Sequence, residues 1–86
     1  MNTPTKTALE TIKDLLSREL EVGLEASEIK DNQPLLDGGL GLDSLAVVEL
    51  VFLLEETLSV QFTEEELQTD NFLTVERLAK LVESRL

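Results

Sequence analysis

Three stretches of the chain repeat their apolar residues at the 3.6-residue period of a helix with one buried side. The first is Leu9, Ile12, Leu16 and Leu20, with Leu15 beside them, while Glu10, Lys13, Asp14, Arg18 and Glu21 fall mainly elsewhere. The second is Val47, Leu50, Val51, Leu54 and Leu58, and the third is Val75, Leu78, Ala79, Val82 and Leu86, with Arg77, Lys80 and Arg85 mostly outside. End signals set the limits. Proline is tolerated in a first turn, so Thr3-Pro4 reads as a start with Thr5 as the competing cap, and Gly23 is a C-terminal stop. This predicts a first helix over about 4–21. Asp43 stands before an uninterrupted run and predicts a helix over about 44–58, and Thr74 caps one over about 75–85. Thr63 followed by Glu64, Glu65 and Glu66 has the spacing of a capping box, which predicts a short helix over about 64–69.

The connections carry no sustained period. Over 22–43, Gly23, Pro34, Gly38, Gly39 and Gly41 break the pattern, so a long loop is expected. Ile29, Leu35, Leu36, Leu40 and Leu42 are its candidate anchors, and Ser27-Glu28-Ile29 can add one helical turn. Ser59-Val60-Gln61-Phe62 alternates like a short extended connector with Phe62 turned inward, and Phe72 and Leu73 anchor the approach to the last helix. The expected fold is all-α: a single domain over 1–86, a small four-helix bundle with three longer helices, a short third helix, and a long loop between the first and second.

The second helix departs from the ordinary pattern on its outer side. Leu45, Val48 and Phe52 are interleaved there with Glu49, Glu55 and Glu56, where a small domain would usually place polar residues alone. Apolar groups within a rim of carboxylates suit a partner better than water. Asp43, at the head of the same helix, joins them as a candidate recognition residue.

Composition narrows the partners. A formal net charge of −11 opposes nucleic acid and anionic lipid and favours proteins with basic patches. Three phenylalanines make no base-stacking platform. Without cysteine there is no disulfide framework and no thiol. No signal-like or membrane-spanning pattern is visible, so a cytoplasmic monomer is expected. Ser44 has no histidine anywhere in the chain to activate it, Ala46 breaks the Gly-x-Ser-x-Gly elbow, and no Ser-x-x-Lys starts at Ser44. Catalysis by this chain alone is therefore not expected. The glycines at 38, 39 and 41 lack a Walker lysine, and Asp37 and Asp43 lack calcium-loop spacing, so no metal site is expected.

The run Gly41-Leu42-Asp43-Ser44-Leu45, continuing through Glu56, closely resembles the acyl carrier protein family. The glycine before the motif and the acids five, eleven and twelve residues after the serine make the likeness specific, and it extends over roughly residues 5–84. The resemblance implies that Ser44 receives 4′-phosphopantetheine from coenzyme A, transferred by a phosphopantetheinyl transferase. It implies further that acyl groups ride as thioesters on the arm and are presented to acyl-transferring, condensing or acyl-activating enzymes of fatty acid, lipid or polyketide type. Repacking of Val47, Val51 and Leu54 with Phe62 and the last helix would shelter a short acyl chain. Ala46 and Gly39 stand where the family often has acids, and Asn71-Phe72-Leu73-Thr74-Val75 has features of peptidyl carriers. Aminoacyl or peptidyl cargo is thus the alternative, and an unmodified helical interaction module is the rival from a different class.

Overall fold

A computed structural model describes residues 7–20, 22–36 and 39–85. Among them the chain forms three α-helices: α1 (Ala8–Arg18), α2 (Ser44–Leu58) and α3 (Val75–Glu83). Single 3-10 turns lie at Ala26–Glu28 and Thr69–Phe72. The helix start expected at Thr3-Pro4 or Thr5, Glu21, the Asp37-Gly38 pair and Leu86 lie outside the described residues.

α1 begins after Thr7, which is extended and closes a reciprocal box. Its hydroxyl accepts from the Glu10 N–H at 3.1 Å, and Glu10 Oε1 accepts from the Thr7 N–H at 2.9 Å. The helix stops at Arg18, short of the expected 21. Beyond it the Leu20 N–H reaches Leu15 O at 3.2 Å and the Val22 N–H reaches Leu16 O at 3.4 Å, wider spans than an α-turn. Leu20 and Val22 still pack on the core, so an apolar rhythm continues past the point where the backbone unwinds.

The short third helix is not α-helical. Thr63 and Glu66 do make the box, with the Thr63 N–H on Glu66 Oε1 at 2.9 Å and the Glu66 N–H on Thr63 Oγ1 at 3.3 Å, but it closes turns over 64–67 and not a helix over 64–69. A 3-10 turn at Thr69–Phe72 follows. One capped turn does not offset the cost of nucleation when the next residues are Gln-Thr-Asp-Asn, mostly poor helix formers.

The core joins all three helices to the loops. Ile12 and Leu16 of α1, Leu50 and Leu54 of α2, and Val75, Leu78 and Val82 of α3 are fully buried, along with Leu35 from the long loop. Each such side chain contributes about 1.5–3 kcal/mol through removal from water. α1 lies against α3, and the backbone of α2 comes close to α1 alone among the helices.

The long loop sets the two ends that matter. Pro34 and Thr74 form an antiparallel bridge, and the Val75 and Glu76 N–H groups donate to Gln33 O at 3.0 Å and Asp31 O at 2.8 Å. Asp31 in turn holds Lys13 Nζ of α1 at 2.6 Å. The loop then doubles back: the Leu40 N–H donates to Pro34 O at 3.0 Å and the Leu42 N–H to Leu35 O at 2.9 Å. At Gly39 a Cβ would stand 2.1 Å from Pro34 O, so no side chain fits, and Gly41 takes φ +71°. This folded-back loop delivers Asp43 to the head of α2.

Candidate functional site

Asp43 is the N-cap of α2: its Oδ1 accepts the Ala46 N–H at 2.8 Å, and its carbonyl accepts the Val47 N–H at 3.0 Å. Ser44 is the first helical residue, exposed, and its hydroxyl has no hydrogen-bond partner among the described residues. The N–H groups of Ser44 and Leu45 have no acceptor there either. A helix head with free donors and the positive end of its dipole is a favourable place for an anion attached to that hydroxyl. Asp43 opposes such an anion by repulsion, so its physical role is capping.

Beside Ser44 opens a groove of about 500 Å³ lined by Leu36, Leu42, Val47, Val48, Leu67, Thr69 and Phe72 as well as Asp43 and Ser44. It adjoins a smaller, largely apolar pocket of about 170 Å³ among Val47, Val48, Val51, Leu67 and Phe72. The gap is thus between α2 and the 67–72 segment. Val47 and Val51 line it as expected. Leu54 is fully buried, and neither it nor Phe62 nor any described residue of α3, the expected last helix, is on the wall. Leu67 and Phe72 were not legible as wall residues, because a lone leucine after three glutamates has no periodic partner to mark it. A shallow hollow of about 570 Å³ at the other end of α2, lined by Phe52, Glu56 and Gln61 among others, lies on the order of 20 Å along the helix from Ser44.

The outer side of α2 keeps its apolar residues in water. Leu45 is 76% exposed, Val48 63% and Phe52 56%, and Glu49 and Glu56 are exposed around them. Glu55 is different. It is half-buried, and its Oε2 accepts the Phe62 N–H at 2.9 Å, so it fixes the chain reversal after α2. That reversal runs through Ser59, whose φ of +56° is left-handed. Farther round, Glu66 pairs with Arg85 in the turn just beyond α3. The Arg85 hydrogen bond, followed by that of the Thr63 N–H, holds the Glu66 carboxyl below the usual glutamate range. Among the described residues, no cluster of three or more His, Cys, Asp or Glu side chains could hold a metal ion, and no helix is long and apolar enough to cross a membrane.

The model of the phosphopantetheine attachment site family matches residues 10–82. The chain belongs to the phosphopantetheine-binding acyl carrier protein family. This carrier is 40% identical over 57 residues to the acyl carrier protein of Clostridium acetobutylicum, a match spanning 66% of this chain and 70% of that one. Among solved structures it is similar to a holo acyl carrier protein from Nitrosomonas europaea, with 29% identity, a TM-score of 0.80, and coverage of 92% of this carrier and 95% of the other. A chain in the complex of an engineered Bradyrhizobium japonicum glycine:[carrier protein] ligase with a carrier protein from Agrobacterium tumefaciens and ATP aligns with a TM-score of 0.75, covering 90% of this chain and 97% of that one. At 23% identity it shares the fold. The carrier's cofactor is 4′-phosphopantetheine. The described residues fit it: an unengaged hydroxyl at a helix head, free N–H donors for a phosphodiester, and an adjoining groove with an apolar end.

Proposed function

We propose that Ser44 is the attachment residue. Its Oγ forms the phosphodiester as the pyrophosphate bond of coenzyme A breaks and adenosine 3′,5′-bisphosphate leaves, with the hydroxyl proton passing to a base on a separate transferase, since this chain has no histidine to take it. The single observation that carries the reading is the unengaged, exposed Ser44 hydroxyl at the open head of α2. Once attached, the arm supplies a terminal thiol on which acyl groups travel as thioesters. The protein contributes position, shelter and recognition, and performs no catalysis of its own.

Recognition belongs to the outer side of α2. Leu45, Val48 and Phe52 offer apolar contact, and Glu49 and Glu56 surround them with negative charge. Asp43 uses one oxygen as a cap and presents the other to the transferase. The partners are acyl-transferring, condensing or acyl-activating enzymes with basic rims, for which charge governs encounter and apolar contact governs residence. Glu55, engaged with Phe62, serves the fold of that end. Cargo is of the fatty acid, lipid or polyketide type, handled in the cytoplasm, and the apolar lining beside Ser44 favours it over aminoacyl groups.

Intact mass after incubation with coenzyme A and a broad-specificity phosphopantetheinyl transferase tests the assignment. The wild type should gain one phosphopantetheine and Ser44→Ala none. No gain by the wild type would favour an unmodified interaction module, and equal gain by both proteins would move the site to another residue.

A further inference from the structure

The groove has one fixed wall and one tethered wall. α2 supplies the fixed wall through Val47, Val48 and Val51, on a helix whose Leu50 and Leu54 are fully buried in the core. Leu67 supplies an edge of the other, and its backbone belongs to the turns over 64–67, which are not part of any α-helix. Asn71 Nδ2 holds Glu66 O at 2.7 Å, and the Phe62 N–H holds Glu55 at the start of the segment. The link from these turns to α3 is ionic: Glu66 Oε1 accepts from Arg85 Nε at 3.2 Å and pairs with Nη2 of the same guanidinium. The same oxygen accepts from the Thr63 N–H, so one carboxylate both closes its own turn and ties it to the one just beyond α3. The residue next to Glu66 is Leu67, the groove edge.

We infer that the Glu66–Arg85 pair is a latch that holds Leu67 against α2 and thereby limits how long an acyl chain the groove admits. Arg85 is a positioning residue: it touches Glu66 and acts on the cargo through Leu67. The inference rests on Ser44 carrying the acylated arm. It deepens that reading by naming a determinant of chain-length preference. A partly exposed ion pair has the right strength for this role, because pairs of this kind bias a local equilibrium only severalfold and leave the fold in place. Removing Arg85 spares the Thr63–Glu66 box, whereas removing Glu66 would disturb both, so Arg85 is the residue to vary.

Arg85→Gln separates the latch from the turn. In the unmodified protein, amide hydrogen exchange at Leu67 should rise about twofold to fivefold in this variant and return toward wild type in Arg85→Lys. The wild type in about 1 M salt should move the same way. The holo protein is then loaded with a butyryl or a decanoyl group and treated with hydroxylamine, whose nitrogen attacks the thioester carbonyl and releases the thiol. In Arg85→Gln the decanoyl group should be released about twofold to fivefold more slowly than in wild type, with butyryl release unchanged. Unchanged exchange at Leu67 overturns the latch whatever the loading does. Equal decanoyl release from both proteins overturns its control of chain length. Failure to load at Ser44 overturns the carrier assignment, and the chain-length claim with it.

Discussion

α2 and α3 belong to one bundle and differ in what they leave for water. α3 buries Val75, Leu78, Ala79 and Val82 and turns Glu76, Arg77, Lys80 and Glu83 outward. Its first N–H groups are all taken, by Gln33 O, Asp31 O and the Thr74 hydroxyl. α2 buries Leu50 and Leu54 just as deeply, yet leaves Leu45, Val48 and Phe52 exposed and two N–H groups at its head without an acceptor among the described residues. The same loop produces both outcomes. Residues 31–35 seal the head of α3, and residues 39–43 fold back to present the head of α2 open. The contrast teaches that α3 is complete within the fold, whereas α2 leaves an apolar outer side in water, the side to which the proposed docking is assigned.

Core substitutions should erase the difference between the helices and outer ones should restore it. Leu50→Ala in α2 and Leu78→Ala in α3 should each cost about 2–5 kcal/mol, while Phe52→Ala stays within about 0.5 kcal/mol, all measured by urea unfolding. A Phe52→Ala cost equal to that of Leu50→Ala would place the outer side of α2 in the stabilising core and end the comparison. The loop that serves both helices comes next. Gly39→Ala must displace the backbone around Pro34, and about 1–3 kcal/mol of destabilisation is expected in the same assay.

The two caps sharpen the contrast at a smaller scale. Asp43→Ala and Thr74→Ala each remove one side-chain acceptor from a helix head, and each should lower stability by about 1 kcal/mol. Modification by the transferase should slow for Asp43→Ala alone. Equal slowing in both variants would mean that Asp43 contributes through stability only.

The parts of this arrangement that could be read from sequence are those written in a local pattern. The limits of α2, its Asp43 cap and its divided faces follow from a long apolar run with a clear start signal. So do the Thr74 cap and the buried positions of α3. The rest depends on contacts between residues far apart in the chain. The apolar spacing of Leu16 and Leu20 looks helical although the helix ends at Arg18, because burial can continue along an unwound backbone. The Thr63–Glu66 box is real, but a cap specifies a first turn and says nothing about a second. Glu55 shares a helix with Glu49 and Glu56, and only the return of the chain to Phe62 separates its role from theirs. Ser44, the proposed attachment residue, is marked by its motif. Its groove is not, since Leu67 and Phe72 come from a segment whose pairing with α2 no local period records.

The claim that α2 is the docking helix is tested most directly by the rate at which a phosphopantetheinyl transferase modifies variants of its outer side, with circular dichroism as the folding control. Val48→Asp places an unpaired charge in the apolar contact and should lower the rate about tenfold or more. Glu49→Lys should slow association and weaken its salt dependence, and Lys80→Glu on the exposed side of α3 should react like the wild type. Wild-type rates for both α2 variants, measured across several salt concentrations on folded protein, would contradict the account.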